Sequence, residues 1–256
     1  MSYNIEQKKI RCPRKFWLKI SITLLGISIL CLSLFFHPQY FFQWSTTVDN
    51  LSLYSDEPFS AESGEKLLKQ VQSKLSASPL YSTDEKYAIF ICNSPWRRSI
   101  FFIGDENAGG IVYYPLSSNV FINGGDIEEN RKISLSGMSD VLGRKLDHFI
   151  AHEIAHILNG KAIGWIQFHY EPIWIKEGYA EYIGSQGIFN YDEAAYAFMN
   201  NSSKMNLPPS IPYLRYNLLA EYLLEKKNWK EKDFFETALS QSGAEQMLKA
   251  EMSQQE

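Results

Sequence analysis

From Ile20 to Phe36 seventeen consecutive residues carry no charge, and Phe16 and Trp17 extend the apolar stretch back across Lys19. As a helix, the twenty-one residues 16–36 would measure ~31 Å, close to the hydrocarbon thickness of a bilayer. A cleaved signal peptide has a shorter apolar region, about 7–15 residues, followed by a small-residue site. Here Phe35, Phe36, His37 and Pro38 follow instead, so the pattern predicts an uncleaved anchor with the lipid bilayer as its partner. Residues 37–60 read as a tether, aromatic at Tyr40–Trp44 and polar over 45–60. Leu67, Leu68, Val71 and Leu75 then recur at helical spacing over Ser63–Leu75. Between 87 and 123 come YAIFICN, SIFFIG, GGIVYYP and NVFING, short β-branched and aromatic runs separated by Gly, Pro, Asn and Asp. They predict three or four strands in a small mixed or antiparallel sheet.

Beyond Ser139 the period becomes helical. Ser139 or Asp140 is placed to cap a helix ending near Asn159-Gly160, and Pro172 opens a second that ends near Gly184 or Gly187. Further helices are expected at about 192–200, 213–227, 231–239 and 244–252. The fold class is α+β: an N-terminal transmembrane helix, a small sheet on a central helix, and a mainly helical C-terminal half. The boundaries are a basic tail 1–15, the anchor 16–36, the tether 37–60 and one domain at 61–256.

Charge refines this picture. Residues 1–19 hold six Lys or Arg and one acid, which leaves 19 bases and 28 acids in the remainder. So acidic a body excludes a nucleic-acid partner, because phosphate contacts need clustered Lys and Arg. No Lys or Arg occurs between Lys19 and Lys66. The positive-inside bias therefore predicts a single-pass cell-membrane protein with its N-terminus in the cytoplasm and its body outside. Of the three cysteines only Cys92 lies in the body, within an apolar run, and it reads as a small core residue.

Residues 152–156 read His-Glu-Ile-Ala-His. On a helix, positions i and i+4 share a face, so His152 and His156 direct two imidazoles at one point. Zinc accepts such nitrogens at ~2.0–2.1 Å, and Glu153 falls where a base would reach water at the metal. Two histidines on a helix can also be an accident of the surface. Ile150, Ile154, Ile157 and Leu158 weaken that reading, because they mark a buried helix where unexplained His and Glu are costly. A third protein ligand is needed. The metzincin pattern is excluded, since Ala162 and Asn159 stand where its third His and its Gly belong. Downstream runs Trp174-Ile-Lys-Glu-Gly-Tyr-Ala-Glu-Tyr182, in which Glu177 follows His156 after twenty intervening residues and Glu181 lies one turn later. His148, one turn before His152, reads as partly exposed, and His169 as loop decoration.

The two motifs together resemble the gluzincin clan of zinc metallopeptidases, HExxH…E in type, and most closely its short peptidase-MA-like and minigluzincin members. The resemblance implies that Glu177 completes a metal set of His152, His156 and Glu177, and that Glu181 supports His152 through its free ring nitrogen. It also implies that an edge strand at Gly109–Tyr114 pairs with an extended substrate. A further likeness over Tyr213–Leu223, where a Tyr opens a helix carrying the pair Tyr222-Leu223, singles out Tyr213 as donor to the oxyanion, ahead of Tyr216. The chain departs from the pattern in its gap of 20 rather than 18 or 19 residues. It also lacks the exopeptidase motif that captures a free amine, so endo- and exopeptidase action both stay open. The expectation is a hydrolase with one zinc ion, acting on peptide or protein substrate, with Glu153 and Tyr213 catalytic. Its rival is a catalytically silent peptide-binding or assembly module on the same scaffold. An intact Glu153 weighs against that rival. A deformylase-like reading fails because Cys92 sits in a plain apolar run.

Overall fold

The computed structural model describes residues 14–133, 143–208 and 211–255. The chain forms two compact units, 1–41 and 42–256. The first contains α1 (Arg14–Phe36) and a 3-10 turn, Pro38–Phe41. Among the described residues no helix is long and apolar enough to cross a membrane. The expected transmembrane helix at 16–36 is corrected on this finding. With it falls the single-pass membrane localisation.

The second unit is α+β. Residues expected to be a polar tether instead form β1 (Trp44–Val48) and β2 (Leu51–Ser55), an antiparallel hairpin turned at Asp49, whose φ is 51°. Their polarity misleads because it alternates. Leu51, Leu53 and Ser55 point inward while Ser52 and Tyr54 do not, the mark of a half-covered strand. Helix α2 (Ala61–Leu75) lays Leu67, Leu68, Val71 and Leu75 in the core, and Ser60 caps it by accepting from the Ser63 N–H. Strand β3 (Tyr87–Ile91) runs parallel to β2.

The run SIFFIG, expected as a strand, gives its first half to the end of α3 (Pro95–Phe101) and its second half to the turn that follows. Pro95 fixes the first turn, and the Asp56 carboxylate accepts the backbone N–H groups of Asn93 and Ser94 at 2.8 and 2.7 Å. This helix sets Phe101 on Phe121 at 4.4 Å between ring centres, sealing an aromatic layer that continues through Phe90. Packing overrides β propensity here.

Strands β4 (Gly110–Val112) and β5 (Asn119–Ile122) complete a five-stranded sheet of order β1-β2-β3-β5-β4. The β3–β5 pairing is parallel and the β4–β5 pairing antiparallel, so β4 is an edge. A two-stranded ribbon follows, β6 (Gly125–Asp126) with β7 (Arg131–Lys132).

The remainder is helical. Helix α4 (Leu146–Ile163) is buried along most of its length and ends at Gly164, whose φ of 83° suits glycine. Its expected caps, Ser139 and Asp140, lie outside the described residues. A short α5 (Trp165–Tyr170) has no buried residue and leads into α6 (Ile173–Gly184). Helices α7 (Tyr191–Met199) and α8 (Tyr213–Glu221) follow. A π-helical turn, Tyr222–Lys226, comes next, then α9 (Glu231–Phe235) and α10 (Gln241–Gln255). Helix α6 packs between α4 and α8, and Gly178 permits the second contact: a Cβ there would stand 3.0 Å from the Tyr216 carbonyl oxygen.

Where α5 hands over to α6, Glu171 is buried and accepts from the Asn159 side-chain amide at 2.6 Å, while its second oxygen has no partner. Burial pushes its pKa up from 4.5 to about 7. A carboxyl with a raised folded pKa stabilises most below its unfolded value, so this contribution falls as pH rises from about 4.5 to about 7. Glu171→Gln keeps the hydrogen bond without the buried charge. It is expected to match the parent at pH 4 and to exceed it by about 1–2 kcal/mol at pH 8 in denaturant unfolding. Equal stability at pH 8 would contradict the assignment.

Candidate metal centre

Two helices face each other with complementary spacing. On α4, His148, His152 and His156 recur every four residues; on α6, Glu177 and Glu181 do the same. The two rows interleave. His156 Nε2 lies 3.7 Å from Glu177 Oε1, and Glu177 Oε2 lies 3.3 Å from His152 Nε2. His152 Nδ1 lies 3.2 Å from Glu181 Oε2, which is also 3.1 Å from His148 Nε2. Arg144 Nη1 approaches the same Glu181 oxygen at 3.3 Å.

His152, His156 and Glu177 form a group whose ligand atoms all lie within 4.8 Å of one another, as do those of His148, His152 and Glu181. Both buried groups can hold a metal ion, but they share His152 and differ in surroundings. Glu181 already receives three nitrogen neighbours, one of them the fixed positive charge of Arg144. His152, His156 and Glu177 instead line an open cleft of about 290 Å³. The 3.3 and 3.7 Å separations run to the two different oxygens of Glu177, so its carboxylate reaches toward both imidazoles. Two nitrogens and a carboxylate beside the cleft could hold a metal ion.

The electrostatics carry the same imprint. Burial opposes charge on His152, but Glu177 and Glu181 outweigh it and hold its pKa up at about 10. Burial pushes His156 down to about 4. Despite burial, His156 and His152 lower the pKa of Glu177, and His148 leads the groups that hold Glu181 well below the ordinary range. The two carboxylates thus favour a protonated His152 at neutral pH.

The sequence-derived positions meet at this place. Glu153, also buried, lines the cleft opposite Gly110 of β4, and burial raises its carboxyl to about 7. A Cβ on Gly110 would lie 2.6 Å from Glu153 Cγ and 2.7 Å from its Oε1, so only glycine leaves the carboxylate its place. Tyr213 opens α8 and lines the cleft, its ring 5.9 Å from that of His152. The Arg144 guanidinium lies over both the Tyr213 ring at 4.5 Å and the Phe149 ring at 4.8 Å. Tyr216 does not line the cleft; it is a core residue of the α6–α8 contact. His169 is exposed on α5.

Two features run against or beyond the sequence reading. His148 is buried and bound to Glu181, not partly exposed. Its four-residue offset from His152, matched by that of Glu181 from Glu177, was the available signal. Arg144 and Phe168 also line the cleft, and no local motif marks either.

No family model matches the chain, and no curated protein matches it. The gluzincin likeness rests on the two motifs themselves.

If the cleft-lining set of His152, His156 and Glu177 takes the metal, Glu177→Ala is expected to abolish tight zinc binding in a chelator competition. Glu181→Ala removes only the support of His152 and should cost ~10–100-fold. The reverse order would transfer the ligand role to Glu181. Because uptake displaces the His152 proton, zinc affinity of the parent should rise about tenfold per pH unit between pH 6 and 8.

Proposed function

We propose that the protein is a metal-dependent peptidase that hydrolyses peptide bonds, with one zinc ion held by His152, His156 and Glu177. The observation that carries this reading is Glu153. It is a buried carboxylate one residue past the first imidazole ligand, in the same cleft, with its pKa lifted into the neutral range. A structural metal site has no need of such a base.

Bound there, zinc supplies Lewis acidity, which polarises a carbonyl oxygen and acidifies water. The chain's own residues do the rest. An extended substrate backbone pairs with β4, the edge of the sheet, which borders the cleft at Gly110–Val112. Glu153 accepts a proton from the attacking water and returns it to the departing amine. A carboxyl poised near pH 7 serves both transfers. Burial raises the pKa of Tyr213, so its hydroxyl stays protonated at neutral pH and is available to donate to the developing oxyanion. Glu181, held by Arg144 and His148, fixes the ring of His152.

Glu153→Gln preserves size but removes proton acceptance. Zinc content should stay near one per chain while hydrolysis of a mixed peptide library falls at least ~100-fold. Loss of the metal, or retained turnover, would refute the role. Gly110→Ala tests the same carboxylate from the strand side. Its methyl group displaces Glu153 without touching a ligand, so turnover should drop with zinc retained. For Tyr213→Phe, a turnover loss of ~10²–10³-fold is expected with fold and metal intact; unchanged turnover would remove Tyr213 from the chemistry.

A further inference from the structure

A second cavity, of about 660 Å³, lies behind the residues that support the metal ligands. Its floor is formed by Arg144, His148, Glu181, Ser185 and Asn217. Two of these, Arg144 and His148, are gathered on the carboxylate of a third, Glu181, which lies 3.2 Å from His152 Nδ1. Most of the remaining surface is apolar, from Ile188, Phe189, Ala194, Ala197, Leu207 and Leu214, with Asn190, Asn200 and Ser202 set among them. The size is that of a small-molecule site, and apolar walls over a few fixed polar groups are the usual composition of one.

The floor has hydrogen-bonding capacity left over. Asn217 is 2% exposed; its amide donates to Ser185 Oγ at 2.6 Å, and its Oδ1 has no partner among the described residues. His148 is 1% exposed; its Nε2 faces the Glu181 oxygen at 3.1 Å, and its Nδ1 has no partner among the described residues. Asn217 Oδ1 only accepts, and His148 Nδ1 accepts in the tautomer whose Nε2–H donates to Glu181. The missing element is therefore a donor. Glu193 and Lys204, of opposite sign, also line the cavity, so no net charge selects an ionic head.

We propose that this cavity binds a small uncharged molecule with a hydrogen-bond-donating head, a primary amide or alcohol, and an apolar body, and that its occupancy is transmitted to the metal centre through Glu181 and His152. The second half rests on the zinc site proposed above. A head group on His148 or Arg144 alters the hydrogen bonding of Glu181, and such support changes the affinity of a metal ligand set by ~10–100-fold when lost outright. Coupling of this kind is reciprocal: zinc changes the affinity for the small molecule by the same factor.

The probes are hexanamide and its N,N-dimethyl analogue, which has the same carbonyl but no N–H. Each is titrated calorimetrically into the full chain, with and without zinc, and zinc affinity is measured by chelator competition with and without saturating amide. Hexanamide should bind saturably and at least ~10-fold more tightly than the dimethyl compound, the scale of one buried acceptor left unpaired. Saturation should shift zinc affinity at least threefold. Ala197→Trp, which fills the cavity, should abolish amide binding at an unchanged melting temperature; Ala197→Leu, a smaller intrusion, should weaken it. Absence of binding, equal binding of the two amides, or binding indifferent to both Ala197 variants would overturn the site. Amide binding with zinc affinity unmoved would overturn the coupling. A chain that takes up no zinc would refute the metal centre, while the amide titrations would still decide the cavity.

Discussion

Everything in the body is arranged around one alternation, in which three imidazoles on α4 and two carboxylates on α6 stand within 3.1–3.7 Å of one another along the helix contact. Five ionisable side chains do not enter a protein interior singly, because an uncompensated buried charge costs several kcal/mol. Here each carboxylate lies between two imidazoles, and Arg144 closes the row at one end. The helices cannot slide or separate without leaving a buried charge unmatched. The register of α4 against α6 is thus fixed electrostatically as well as by packing.

The apolar structure serves this register. The sheet and α2 bury one side of α4 through Ile150, Ile154 and Ile157, while Gly178 lets α6 press against α8. At the open end of the row β4 brings Gly110 against Glu153, so the helix that carries the candidate ligands His152 and His156 meets the sheet edge at that carboxylate. The site is built from rigid elements on three sides. The short and largely exposed α5 contributes Phe168, whose ring lies 6.3 Å from that of His156.

Much of this was legible in the residues. Spacing alone placed His152, Glu153 and His156 on one helix, and the Glu-Gly-Tyr-Ala-Glu segment supplied its partner. The helix expected from Pro172 runs as α6, and the edge strand expected at Gly109–Tyr114 is β4. What escaped the sequence did so for physical reasons. Ser-Ile-Phe-Phe has strand propensity, but it became helical because Pro95 and the Asp56 carboxylate fix a first turn and Phe101 is needed over Phe121. The polar hairpin β1–β2 concealed a period of two inside a composition typical of linkers. His148 looked incidental because its value lies in a partner 33 residues away. Arg144 takes part through tertiary contacts with Phe149, Glu181 and Tyr213 that no local pattern records.

The connection between the ligand-bearing helices has a consequence for how such centres vary. After His156 the chain completes α4 to Ile163, turns at Gly164, makes the exposed α5 and re-enters at Ile173. The ladder dictates where His156 and Glu177 meet, and between them the detour is held by Phe168 at the cleft and Glu171 on Asn159. The twenty-residue gap is therefore a property of surface chain rather than of coordination chemistry. Apart from Phe168, which lines the cleft, that surface chain leaves the candidate centre untouched, so the signature of the centre is angular, a four-residue beat on each of two helices, and not a fixed count along the chain.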